Sequence, residues 1–407
     1  MQCSIFVGTI GALALLLSGC QKAPDAPAPA PAPGDAGFAK VLQQKLLDAK
    51  PGDVIEVPEG TFQFDRSLSL RVDNVTLRGK GMDRSVLSFK GQKAGAEGLL
   101  VNADGFTLEN LAIEDSKGDG FKISQCENVT VRGVRVEWTG GPKTSNGGYG
   151  LYPVLCRNVL IENSVAIGAS DSGIYVGQSR DVIVRNNRAE RNVAGIEIEN
   201  TINADVYDNV ATGNTGGILV FNMPALTQQG DAIRVFKNKV VENNHDNFGA
   251  KGTPVASVPA GSGVVINSND NIEIFDNDIA GNQTANIIVS SVYSTGYKDD
   301  KASGEFDPYP ERIHVHGNRL SGGGDSPDRM DFKALKVAMY GLTGSFPDVL
   351  FDGYVNPQRA EGPQICLRGV SGVLNADGPG GYKNPSKDAR PYDCTLPSLP
   401  AVDLKRG

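Results

Sequence analysis

DGFTLENLAIEDSKGDGFKISQC (104–126), ENVTVRGVRVEWTGGPKTSNGGYGLYPVLC (127–156), RNVLIENSVAIGASDSGIYVGQS (157–179), RDVIVRNNRAERNVAGIEIENT (180–201) and INADVYDNVATGNTGGILVFNMP (202–224) are five lines of one recurring pattern. Near the start of each comes a period-2 apolar run, as in Val129 and Val131, Val159 and Ile161, Val182 and Val184. A second short run follows, then a glycine (Gly120, Gly150, Gly173, Gly195, Gly217) and a third alternating run. The repeat is about 22 residues long, lengthened in places by insertions. Self-similarity at such a period marks a stack of repeats. Three short strands per repeat, joined by Gly/Asn turns, make a parallel β-helix. A leucine-rich repeat would need an L-x-x-L-x-L-x-x-N frame and a helical segment, and neither is present.

Stacking the lines turns the sequence into a map, because neighbouring coils lie ~4.8 Å apart and equivalent residues form columns. In the third strand, alternation sends Phe121, Leu151, Ile174, Ile196 and Ile218 inward. The outward column between them reads Lys122, Tyr152, Tyr175, Glu197, Leu219. Asp119, Tyr149 and Asp171 precede it and Glu199 follows it. In the first strand the outward column is Arg78, Glu109, Arg132, Glu162, Arg185, a ladder of alternating charge. It continues as Tyr207, Phe236, Phe275 and His316, an aromatic stack. Two asparagine columns, Asn187–Asn209–Asn238–Asn277–Asn318 and Asn192–Asn214–Asn243–Asn282, fall in turns, where stacked amides satisfy one another.

The rest of the chain frames this repeat. The apolar N-terminus ends in Leu17-Ser18-Gly19-Cys20, which resembles the lipobox of bacterial lipoproteins and implies that Cys20 carries lipid. Gln21 lacks the acidic signal for inner-membrane retention, so the expected location is the cell envelope, outer membrane, facing the periplasm. Ala23–Pro33 (APDAPAPAPAP) reads as an extended tether. The expected organisation is a signal peptide with lipobox (1–19), a tether (20–37), the β-helix (38–320) and a C-terminal cap and tail (321–407). The formal charge of −8, from 39 Lys and Arg against 47 Asp and Glu, comes with no basic stripe, which argues against a nucleic-acid partner.

Four of the six cysteines lie beyond the leader and lipobox. Cys366–Cys394 is the expected bridge, and Cys126 and Cys156 stack in adjacent coils with a bridge between them left open. Phe38–Lys50 has amphipathic spacing at Val41, Leu42, Lys45, Leu46 and Leu47, then stops at Pro51-Gly52.

That helix followed by AKPGDVIEVPEGTF (49–62) resembles the start of right-handed β-helix proteins of the pectate lyase-like superfamily. The resemblance covers about residues 38–320. It implies an all-β, right-handed parallel β-helix with an N-terminal capping helix and an irregular C-terminal cap, often acting on polysaccharides. The chain also resembles envelope β-helix lipoproteins without assigned activity and the β-helix proteins of nitrous-oxide-reductase maturation.

Four insertions, Thr139–Gly148, His245–Ser262, Met223–Gly230 and Val292–Pro310, flank the third-strand face, and loops on a rigid scaffold are where function gathers. Lys122, Tyr152, Tyr175 and Glu197 span about 14 Å, the length of a short oligosaccharide. They are the candidate catalytic set: Lys122 to neutralise a uronate carboxylate, Tyr152 or Tyr175, acidified by Lys122, as acid or base. Asp119, Tyr149, Asp171 and Glu199 are the candidate substrate-binding set. Mannuronan C5-epimerases and lyases of this fold use similar sets, although their D-P-H-D motif is absent and only His245 lies in a flanking loop. Hydrolysis would need Asp171 paired with Glu197 or Glu199, and the polygalacturonase motifs are missing. Glu114, Asp115 and Asp119 offer oxygen ligands for calcium, but a solvated turn is the simpler reading, and no metal site is assigned. The expected function is to bind or process an acidic polysaccharide by β-elimination or epimerisation. The alternative is a scaffold docking another envelope protein, for which the groove would be apolar and covered.

Overall fold

In a computed structural model of the chain, residues 34, 37–295, 306–359 and 364–405 are described. The lipobox, Cys20 and the Ala/Pro tether lie outside them. The repeat folds as its alternation requires: three parallel sheets wrap one apolar column. The first sheet holds 11 strands from Val54–Glu56 to Ile365–Leu367, the second 10 from Gly60–Gln63 to Arg319–Ser321, and the third 11 from Arg66–Leu70 to Val373–Asn375. Every pairing between them is with the equivalent strand of the next coil. Ile174 stacks on Ile196 and Ile196 on Ile218, all fully buried, each contributing about 2 kcal/mol over exposure.

The corners are made by residues that tolerate a left-handed backbone. Asn110, Gly133, Asn163, Asn186, Asp208, Lys237 and Asp276 follow successive strands of the first sheet with φ between 52° and 62°, a region that glycine and short polar side chains enter at least cost. The next residue in the later coils is the asparagine ladder. The Asn187 side-chain amide donates to Asn209 Oδ1 at 3.0 Å, Asn209 to Asn238 at 2.9 Å, Asn238 to Asn277 at 3.0 Å and Asn277 to Asn318 at 2.9 Å. The Asn192 ladder repeats the pattern through Asn214, Asn243 and Asn282. On the first sheet Glu162 takes Arg132 on one side and Arg185 on the other. Tyr207, Phe236, Phe275 and His316 stack with centroids 4.8, 4.8 and 5.3 Å apart.

The ends are closed differently. The helix Phe38–Leu47 buries Leu42 and Leu46 on the open coil, while Val41 and Leu47 of the expected apolar set face out. Phe38 meets Phe62 at 4.3 Å between centroids. At the other end the solenoid runs past the expected boundary at Leu320. After the helix Met330–Tyr340, strands Val349–Phe351, Ile365–Leu367 and Val373–Asn375 rejoin the third, first and third sheets. Cys126 pairs with Cys156, joining adjacent coils, and Cys366 with Cys394.

From Cys394 the tail turns back along the outer face of the first sheet. Leu399 N donates to Glu273 Oε2 at 2.9 Å, Val402 N to Asp205 Oδ2 at 3.2 Å, and Asn158 Nδ2 to Lys405 O at 3.4 Å. Those anchors sit on every second strand of the sheet. Three extended residues reach about 10 Å, two coil spacings. The tail is therefore a strap laid lengthwise across the strands.

Candidate functional site

The third sheet's outward column is set by register. Leu100 pairs with Lys122 and Lys122 with Tyr152; the next strand puts Tyr175 beside Tyr152, and Tyr175 pairs with Glu197, Glu197 with Leu219. Tyr149, from the insertion ahead of the strand Leu151–Val154, fills the space above the column. Its ring lies 4.4 Å from Tyr152 and 4.6 Å from Tyr175, and those two meet edge-on at 4.9 Å. Lys122 Nζ sits 4.7 Å over the Tyr152 ring and 3.9 Å from Asp119 Oδ2. Asp119 Oδ1 in turn accepts the Tyr149 amide at 3.2 Å.

Three carboxyls lie against these rings. Ser172 Oγ is 3.0 Å from Asp171 Oδ1 and also bonds Glu197 Oε2. One hydroxyl has one proton, so when Ser172 donates to one carboxylate, the other must be an acid donating to it. Burial and mutual repulsion act the same way. Asp171 is pushed up to about 7, mainly by desolvation. Glu197 is raised well above its ordinary range by burial and by Asp171, and Glu199 is raised by burial. Beyond burial, the Asp171 charge bears on the Tyr149 hydroxyl and raises it, and the Tyr175 hydroxyl donates to Glu199 Oε2.

The eight candidate residues thus form one contact network. Five of them, Asp119, Lys122, Tyr149, Tyr152 and Glu199, are half-buried and face solvent in part. Asp171 is buried, and Tyr175 and Glu197 are only 3% and 2% exposed. Lys122 does not acidify the tyrosines as expected. Burial, then the surrounding carboxylates, raise Tyr152 to about 12 and hold Tyr149 and Tyr175 well above the usual phenol range. They are proton donors, not ready bases. Ser172, which ties the carboxyls together, was not singled out in the sequence; its signal was the polar Asp-Ser pair where the next coil has Val193-Ala194.

Other expectations dissolve on geometry. Glu114 is spent on Arg135 at 2.8 Å and Asp115 on Thr139 at 2.7 Å, so Glu114, Asp115 and Asp119 do not converge as a calcium cage. His245 keeps to its loop, with Nδ1 2.8 Å from Asp246 O and its ring edge-on to Phe248.

Beyond Glu197 the same column changes character to Leu219, Val265, Ile288, Leu350 and Leu374. These form a second apolar cluster outside the solenoid, covered by Phe332, Leu335 and Met339 of the helix Met330–Tyr340. A cavity of about 470 Å³ remains beneath it, lined by Phe221, Val258, Ile288, Phe332 and Leu350 among others. Two further clusters have metal-ligand chemistry among the described residues: Asp270 with Asp307 and Glu311, and Glu273 with His314 and His316. The first closes around Arg359, which pairs with all three carboxylates.

The family model for the right-handed beta helix region matches residues 75–230, which contain the whole candidate site. No curated protein matches the sequence. Among solved structures, the A-module of mannuronan C-5 epimerase AlgE4 from Azotobacter vinelandii superposes with a TM-score of 0.53 at 19% identity, covering 79% of this chain and 90% of that one. The A-module of AlgE6 from the same organism gives 0.47 at 18% identity over 78% and 84%. An alginate lyase from a Paenibacillus species gives 0.40 at 17% over 70% and 96%. At such identities the likeness is one of fold. With three parallel sheets in register and this match across its central coils, the chain folds as a right-handed parallel β-helix.

Proposed function

We propose that the chain binds an acidic polysaccharide along the third-sheet face from Asp119 to Glu199 and acts on it by β-elimination or epimerisation. The observation that carries this reading is the tyrosine trio seated on proton-sharing carboxyls with one ammonium at the rim. Lys122 would meet a uronate carboxylate and stabilise it as charge spreads from C5. Burial raises the Tyr149 hydroxyl, Asp171 is close enough for its carboxylate to raise it further, and the Asp171 carboxyl titrates near neutrality, the range a general base needs. As Tyr149 takes the C5 proton, its own proton passes to Asp171. Tyr152 then protonates the leaving O4 as the C4–O4 bond breaks, or returns a proton to the opposite face of C5. The solved structures named as epimerases and lyases of acidic polysaccharides support the substrate class at the level of fold. Hydrolysis is less well served, since Glu197 lies beneath the rings rather than across an open groove.

In the same reading the chain is a lipoprotein held in the outer membrane through Cys20 and facing the periplasm. The docking-scaffold alternative draws on the apolar half of the third sheet, but that half is already covered by the chain's own helix.

The test is a polysaccharide binding screen on the full chain in detergent, followed by ultraviolet absorbance of unsaturated uronate and product NMR. Binding with new absorbance marks a lyase, and C5 inversion without it an epimerase. Absence of binding to every uronate polymer removes the proposal.

A further inference from the structure

The strap is anchored on Glu273, the register partner of a buried histidine that nothing among the described residues satisfies. His314 is 7% exposed, and among the described residues neither Nδ1 nor Nε2 has a hydrogen-bond partner. A neutral imidazole carries one donor and one acceptor, and leaving them bare in the interior is a cost that native proteins rarely bear. In the sequence His314 lies two residues before His316, on the same outward face as the aromatic stack. The structure instead buries His314 between the Glu273 strand and the Cys366 strand, whose disulfide starts the strap.

Its surroundings are those of a metal site. His314 pairs in register with Glu273, and the His314 and His316 rings lie 4.3 Å apart. His316 Nε2 is 2.9 Å from Glu273 Oε1, close to the ~3.3 Å edge of a tetrahedron of ligands around zinc. One ligand atom from each of Glu273, His314 and His316 lies within 4.8 Å of the other two. Closing all three on one ion takes a shift of about an ångström, a side-chain adjustment.

The supporting contacts are also present. His316 is clamped flat on Phe275, 3° from parallel. Glu273 Oε2 is held by the Leu399 amide of the strap. Outer contacts that fix ligand orientation in this way are a regular part of metal sites.

We infer that Glu273, His314 and His316 bind a divalent transition metal, with zinc as the probe of choice, and that the ion seals the strap onto the first sheet. Two imidazoles and a carboxylate select zinc and its neighbours over calcium or magnesium. Three protein ligands leave a fourth position for water. The Glu273 carboxylate then bridges the ion through Oε1 and the Leu399 amide through Oε2, so occupancy and strap docking reinforce each other. The site is on the first sheet and independent of the third-sheet reading.

The experiment uses the untagged full chain in detergent, disulfides intact, stripped with chelator. Zinc is titrated by calorimetry, and cobalt(II) by visible absorption. Expected are one ion per chain, a dissociation constant below about 1 µM, a tetrahedral cobalt spectrum, and a melting temperature raised by roughly 5 °C at saturating zinc. His316→Phe keeps the aromatic stack and His314→Gln keeps a polar group; each should lower affinity at least tenfold and abolish the cobalt spectrum. Zinc should also slow hydrogen exchange at the Leu399 amide. No stoichiometric uptake, or uptake unchanged in both variants, overturns the assignment.

Discussion

The outward face of the third sheet is one column of residues with two fates. From Lys122 to Glu197 it is polar, and its groups satisfy one another: tyrosines on carboxyls, a serine shared by two acids. From Leu219 to Leu374 it is apolar, and a helix from the C-terminal region packs on it. Backbone and register are the same throughout. The difference lies in what each half needs to finish it. The apolar half is finished by burying its own chain, with a gain proportional to area. The polar half holds carboxyls whose charge is penalised by burial, with one ammonium at its margin. It is left short of cations, with Tyr149 and Tyr152 half-buried at its surface.

Exchanging characters across the boundary is the most severe test. Leu219→Glu buries a carboxylate under the helix without a partner and should cost about 4 kcal/mol or unfold the C-terminal region, read as a fall in denaturation midpoint. A loss below ~1 kcal/mol would mean the helix does not seal the cluster. Tyr149→Phe should leave stability within about 1 kcal/mol while lowering turnover of a uronate polymer some 10²–10⁴-fold. Unchanged turnover would remove Tyr149 from the reaction.

The third test is pH. Asp171 has a folded pKa above its unfolded one, so the folded state holds the proton more tightly. Its contribution is fully present below about pH 4 and is lost as pH rises towards 7. Asp171→Asn should flatten the decline in urea stability over that window by on the order of 1–3 kcal/mol; parallel curves for both proteins would contradict the shared proton. The smallest effect is the reverse exchange. Glu197→Leu extends the apolar half and removes a desolvated acid, so stability should change by less than about 1.5 kcal/mol, towards greater stability.

Most of the architecture was legible because alternation and a repeat near 22 residues convert directly into columns. The charge ladder, the aromatic stack and both asparagine ladders appear where the repeat put them. So does the gathering of Lys122, Tyr152, Tyr175 and Glu197 with their flanking acids. Depth was not legible. An outward position reads the same whether solvent or Tyr149 lies above it, so the burial of Tyr175 and Glu197 and the raised phenol pKa values were missed. The boundary at Leu320 failed for a related reason. The strand Val349–Phe351 pairs with Ala285–Ser290 across more than 50 intervening residues, and an insertion that long erases the period. The strap was not legible either, because its anchors on Glu273, Asp205 and Asn158 lie more than 100 residues away in the sequence.

That strap has a consequence in time. Each coil touches chiefly its neighbours, so coils can stack in order as the chain emerges N-terminus first. The strap cannot. Its anchors at Asn158, Asp205 and Glu273 are formed long before Leu399 and Val402 arrive, and Cys366 must find Cys394 to start it. Residues made after the coils are therefore fastened to strands in the middle of the solenoid, and their docking marks coils that have already stacked.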